Sequence, residues 1–277
     1  MEFKRIFNLR SISSTSGRKQ AAITVAGSEP GLSDAEQQAL ELSPRRAGIY
    51  PLIRKAIAPV LELDWKIATL TVSSTLLLLI DFYHPDLIPW RKISLFGRAI
   101  PPGWLKVPGT YLDGLLLYLF IPIVITLLIF RENPRNYGFT FGNWRLGLAL
   151  TAGSILIIAP ILWLVTRGDA TMRNYYHGQA SGLPWNTLVD LFGWEFFFRG
   201  WLIFGYGRKF GAEALWLQAV PFALAHIGKP EIETLSTIFG GFAFGWVAWK
   251  TKSFFWPFLI HWFVASFTIL VAAGALG

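Results

Sequence analysis

The sequence predicts an all-α, polytopic membrane protein, a helical bundle of about seven to eight transmembrane helices. Three observations carry that prediction. Hydrophobic residues make up 53% of the 277 positions and charged residues only 15%, against about 25% charged in a typical soluble domain. Mean hydropathy is +0.45. The apolar residues also gather in long blocks, and a spanning helix needs about 20 of them, within a range of about 17–25.

Residues 1–48 are polar, rich in Ser, Gly, Glu and Arg, and read as a disordered N-terminal tail. One short helix is expected within it at "SDAEQQALEL", where Ser33 can act as the cap. The opening "MEFKRIFNLRSISSTSGRKQ" lacks the apolar core of a secretory signal. Its Arg and Ser content resembles a transit peptide, but Glu2 and the later acidic residues oppose that reading.

Residues 49–277 are expected to form a helical membrane domain. The segments are Ile67 to Tyr83, Tyr111 to Phe130, Leu146 to Val165, Asn186 to Tyr206, Ala212 to Ala225, Glu233 to Trp249 and Phe254 to Ala275. The fifth is too short to span unaided, so it takes in neighbouring residues or is re-entrant. A weak eighth element runs from about Ile53 to Leu63, with Arg54 and Lys55 inside it. No internal repeat is visible, which argues against a small transporter built from inverted halves. In "GGFAFG", Gly241 and Gly245 lie four apart and read as a close helix contact; no P-loop lysine follows them. Trp90, Trp104, Trp144 and Trp185 fall near segment ends, as interfacial anchors do.

The net charge of +8 does not indicate nucleic acid. The basic residues lie mainly in the first 66 positions and in loops beside apolar segments, where topology and anionic lipid place them. A cytoplasmic N-terminus brings Arg131, Arg135, Arg208, Lys209, Lys250 and Lys252 to the inner side. Arg91, Lys92, Arg98 and Lys106 break the pattern. The chain has no cysteine, which excludes disulfides, thiolate metal ligands and a cysteine nucleophile.

Ionisable groups within spanning helices cost about 2.5–3.5 kcal/mol each on insertion scales, so each needs a partner or a role. The candidates are Asp190, Glu195, Arg199, His226 and His261. Glu195 and Arg199 are four apart and share a helix face. They read either as a self-neutralising ion pair or as a carboxylate held in place to act as a base. His226 ends "PFALAH" and, taken alone, reads as a hydrogen-bonded histidine at a helix end. His261 has no charged neighbour from Phe254 onward, so its partner must come from another helix. One Glu and two His on three helices can polarise a water molecule. The same set, Glu195, His226 and His261, can bind a divalent metal such as zinc, although the spacing is not that of an HExxH helix.

In order, "WEFFFRG", "FALAH" and "HWFVA" resemble the three motifs of the CPBP family, the CAAX-processing and bacteriocin-processing proteins also called Abi. Those motifs are Glu-Glu-x-x-x-Arg, Phe-x-x-x-His and His-x-x-x-Asn/Asp. With "NYGFTFGNWRLGL" as an upstream connector, the resemblance covers about residues 136–266. It implies an intramembrane endopeptidase that acts on a membrane-associated or prenylated CAAX-type substrate through glutamate-activated water; many relatives are labelled metalloproteases. Glu195 matches the second Glu, and Arg199, Phe222, His226 and His261 match in place. Trp194 stands where the first Glu belongs, the residue usually assigned as base. Ala265 stands for Asn or Asp, with Ser266 beside it.

The roles implied are water activation by Glu195 with His226, oxyanion stabilisation by His261, and orientation of Glu195 by Arg199. Asp190, one turn before Trp194, is the competing carboxylate, although a place nearer the membrane surface would make it a solvated group. The alternative function is a catalytically impaired scaffold or bacteriocin self-immunity factor. The segment boundaries put Glu195 mid-span, His226 near the outer end and His261 nearer the inner end, an offset on the order of 10 Å. Convergence of the three on one cavity is therefore the deciding observation.

Overall fold

The computed structural model describes residues 49–84, 86–88, 94–95, 98–99 and 109–276. The expected tail and its Ser33 to Leu42 helix lie outside the described residues, as do Trp90, Trp104, Arg91, Lys92 and Lys106. The chain divides into two compact units at Ala58 and Pro59. Of the first, only residues 49–58 are described, as the start of helix α1 (Ile49–Leu61). That helix stands where the weak eighth element was expected. The second unit carries the bundle.

Helix α2 (Trp65–Tyr83) opens on Asp64, whose side chain accepts the Lys66 and Ile67 N–H groups, a standard way to satisfy helix-start donors. Within the loop that follows, Ser94–Leu95 and Arg98–Ala99 pair as a two-residue antiparallel ladder. Helix α3 (Thr110–Ile129) includes two π-helical turns, Leu116–Phe120 and Ile125–Ile129. Helix α4 (Trp144–Gly168) is capped by Asn143, and Asp169 caps the short α5 (Ala170–Tyr176). Helix α6 (Trp185–Glu195) runs through a π-helical stretch, Phe196–Leu202, into α7 (Ile203–Phe210). Helices α8 (Ala214–Leu224), α9 (Glu231–Thr251) and α10 (Phe255–Ala272) complete the bundle.

Four described helices, α2, α3, α4 and α10, are long and apolar enough to cross a membrane, so the chain is an integral membrane protein with an all-α bundle. Each of the other expected segments is helical too. The fifth proves short: α8 has 11 residues, a rise of about 16 Å against a hydrocarbon thickness of about 30 Å. Large apolar side chains such as Leu128, Leu148, Leu156, Ile157 and Leu164 are exposed, as expected of a surface solvated by lipid.

The centre of the bundle is the Phe196–Leu202 stretch, every residue of which is buried. A helix apolar on all sides belongs in the interior, and here α3, α8, α9 and α10 enclose it. Phe196, Phe197 and Phe198 pack with Leu117, Tyr118, Phe222 and Phe254 in one core cluster. Helix α9 approaches α8 through its glycines. A Cβ at Gly241 would sit 2.9 Å from the Phe222 ring, and one at Gly245 would sit 2.9 Å from Gln218 Nε2. The buried Gln218 amide donates to the carbonyls of Leu215 and Gly241, both at 2.8 Å, which ties the two helices at their closest approach.

Candidate active site

Glu195 ends α6 and Arg199 lies within the π-helical stretch, both 0% exposed. Arg199 Nη1 is 3.2 Å from Glu195 Oε1. The guanidinium carbon lies 3.8 Å from the Phe222 ring centroid, 5.3 Å from that of Phe244 and 5.7 Å from that of Phe198. Ring faces attract a cation most strongly when water is excluded, so aromatic rings replace much of the hydration that Arg199 has lost. Compensation is incomplete. Among the described residues, Glu195 Oε2 and the three guanidinium nitrogens make no hydrogen bond of good geometry.

His261, on α10, brings its Nδ1 to 2.6 Å from Glu195 Oε1. Opposite an ionised carboxylate, Nδ1 carries the proton. That leaves Nε2 as the second, unclaimed nitrogen. His226 follows α8 and is 3% exposed. Its Nδ1 lies 2.7 Å from the Phe222 carbonyl oxygen. A carbonyl only accepts, so Nδ1 of His226 is the donor and Nε2 of the neutral ring holds a lone pair. The turn carrying His226 is fixed from α9 as well, because Thr234 Oγ1 donates to the His226 carbonyl at 2.8 Å.

His226 and His261 line one cavity of about 320 Å³, together with Asp190, Phe222, Phe244 and Ala265. Glu195 and Arg199 are not part of its wall. Glu195 sits behind His261, and Arg199 behind the Phe222 and Phe244 rings. The expected depth offset is closed: Glu195 and His261 touch, and the short α8 delivers His226 to the bundle interior. Asp190, half-buried one turn before Trp194, lines this cavity.

The two departures from the motifs have distinct structural outcomes. The Trp194 ring joins an aromatic group, with centroids 5.1 Å from Tyr118, 4.9 Å from Phe198 and 6.1 Å from His226. Ala265 presents only a methyl group to the cavity. Ser266 turns to Thr187, oxygen to oxygen at 3.1 Å, and does not stand in for the missing Asn or Asp.

A metal held by Glu195, His226 and His261 does not fit this arrangement. The Glu195 carboxylate bonds His261 Nδ1 and lies outside the cavity wall, so it does not meet the two free Nε2 atoms as a third ligand. Among the described residues, no group of three His, Cys, Asp or Glu side chains is arranged to hold a metal ion.

Sequence reasoning missed the π-helical stretch and the direction in which Asp190 points. A hint of the first lay in "FFFRGWL", an uninterrupted apolar run around one arginine.

The bundle is that of an integral membrane protein, with the three motifs brought together at its centre. Residues 178–267 match the family model of the type II CAAX prenyl endopeptidases, Rce1-like. This stretch includes all three motifs and joins α6 to α10, and over it the chain is similar to the CAAX-protease, or CPBP, family. Neither the curated proteins nor the solved structures gave a match.

Proposed function

We propose that the chain is a multi-pass intramembrane endopeptidase, with its N-terminus in the cytoplasm, that hydrolyses a peptide bond of a prenylated, CAAX-type substrate. The observation that carries this reading is that His261, in the wall of a cavity it shares with His226, is held from behind by Glu195 at 2.6 Å. His226 Nε2 accepts a hydrogen bond from the attacking water and positions it. His261 faces the cavity, and its Nε2 donates to the oxyanion in the imidazolium form that the Glu195 carboxylate on Nδ1 favours as the oxyanion develops. Glu195 balances that imidazolium charge, and Arg199 balances Glu195. With the imidazolium present the trio carries a net charge of about +1, which the oxyanion neutralises. Preorganised donors in a dry site contribute most where charge develops.

This differs from the expected role of Glu195 as the group that activates water. Enclosed behind His261, Glu195 serves better as the group that holds the imidazole. The cavity wall is mostly apolar, which suits a lipidated substrate, and the catalytic core lies within about residues 136–266 of the membrane domain.

The test is cleavage of a farnesylated CAAX peptide by the full chain in proteoliposomes. His226→Ala and His261→Ala are each expected to lower the rate at least about 100-fold, the lower range for general acid–base groups, with the folded fraction unchanged. A second reading, a non-catalytic scaffold or immunity factor, draws on Trp194, whose ring fills with aromatic surface the place where the family keeps a carboxylate. Equal rates in wild type and His226→Ala would favour it.

A further inference from the structure

We infer that Asp190 is the catalytic carboxylate of this site, restored one helical turn from the position that Trp194 vacates. The inference rests on the proposed endopeptidase function and deepens it.

Hydrolysis of an amide needs a group that takes a proton from water and returns one to the leaving amine, and a carboxylate is suited to both steps. Glu195 is poorly placed for this, since it is fully buried, lies outside the cavity wall and has His261 and Arg199 on its Oε1. Two carboxylates do line the cavity, Asp190 and Glu233. Glu233 is taken: Tyr176 Oη donates to it at 2.6 Å and Lys229 Nζ at 3.1 Å. Among the described residues no such bond occupies Asp190. It is half-buried, lines the cavity with both histidines, and has room on its α3 side, where a Cβ on Gly114 would still be 3.8 Å from Asp190 Oδ1.

The geometry of α6 explains the substitution. Asp190 and Trp194 are four apart within one α-helix and so share a face, displaced by about 6 Å along the axis. A carboxylate lost at Trp194 can be replaced from that face by Asp190, but not by Glu195, which points to α10.

The step balances without a further reagent. Water oxygen bonds to the scissile carbonyl carbon as one of its O–H bonds breaks, and that proton passes to the Asp190 carboxylate. The carbonyl π pair moves to oxygen and forms the oxyanion beside His261. As the pair returns, the C–N bond breaks, and the proton on Asp190 passes to the departing nitrogen. Asp190 ends ionised, ready for the next turnover.

The experiment measures kcat and KM for a farnesylated CAAX peptide with the full chain in proteoliposomes. The variants are Asp190→Asn, Asp190→Glu, the double variant Asp190→Asn with Trp194→Glu, and His226→Ala. Asp190→Asn should lower kcat at least about 100-fold with KM little changed. Asp190→Glu should keep a measurable fraction of the rate, and the double variant should recover activity over Asp190→Asn alone. A packing role against α3 would instead make the longer Glu at least as damaging as Asn. Asp190→Asn within about threefold of wild type, with His226→Ala inactive, overturns this inference and leaves the endopeptidase reading standing. Full activity in His226→Ala overturns that reading and this inference with it.

Discussion

The molecule holds two clusters built from the same parts, a glutamate with an arginine and a second basic side chain. At the rim, Glu132 bonds Lys66 and Arg208, each at 2.5 Å, and accepts from Tyr137 Oη at 3.1 Å. At the centre, Glu195 meets His261 at 2.6 Å and Arg199 at 3.2 Å. The rim cluster is partly exposed and its carboxylate oxygens both have donors. In the central cluster Glu195 and Arg199 are fully buried, and Glu195 Oε2 and the guanidinium nitrogens are left without hydrogen bonds. Full satisfaction at the rim fits a brace that ties α2, the loop after α3 and α7 together. Incomplete satisfaction at the centre is costly in a low dielectric, and a chain selected only for stability would gain from apolar replacements there. The difference marks the centre as the place where charge is retained for a purpose.

The sharpest way to break the comparison is to delete one charge at each cluster. Arg199→Ala removes the charge partner of the buried Glu195 and leaves it only the His261 bond, which should destabilise the folded chain by about 3–5 kcal/mol, read from unfolding in detergent. A loss below about 1 kcal/mol would mean that the central pair is not electrostatically isolated. Next in size is Gly241→Leu, which drives a side chain into Phe222 and Ala219 and should cost about 1–3 kcal/mol. Because Phe222 also carries the carbonyl that fixes His226, this variant should lose activity along with stability.

At the rim, Glu132→Gln should cost at most about 1 kcal/mol, and the cost should shrink in high salt. Its pH dependence has a definite sign. Partial burial raises the Glu132 pKa, but hydrogen bonds from Lys66 and Arg208 outweigh it, and the net shift is downward from 4.5. A depressed carboxylate pKa contributes stability that is complete above the unfolded value and lost as pH falls through the folded one. Wild type should therefore lose more stability than Glu132→Gln on acidification below about pH 4.5. Parallel acid unfolding curves for the two would contradict this assignment.

Much of the bundle is legible in the sequence, because lipid makes apolar run length the deciding quantity. The seven expected segments are all helical, and the Gly241/Gly245 pair does mark a close helix approach. The motifs also name the residues that meet at the centre. Other features escape such reading. Nothing in "FFFRGWL" specifies i+5 over i+4 hydrogen bonding, since both bury the same side chains. The short α8 is visible as a short apolar run, but not its consequence, that His226 ends inside the bundle. The direction of Asp190 depends on the rotation of α6 against α3 and α10. Tertiary packing sets that angle, and a polar residue four positions from a motif looks like a solvated helix end until the cavity is seen.

The central claim is that this interior hydrolyses a peptide bond with water held by His226. The most direct measurement is mass spectrometry of a farnesylated CAAX peptide incubated in ¹⁸O-labelled water with wild-type and His226→Ala proteoliposomes. The account predicts a truncated product carrying one ¹⁸O in its new carboxylate with wild type, and at least about 100-fold less of it with the variant. An intact peptide with wild type, or equal product from both proteins, would contradict it.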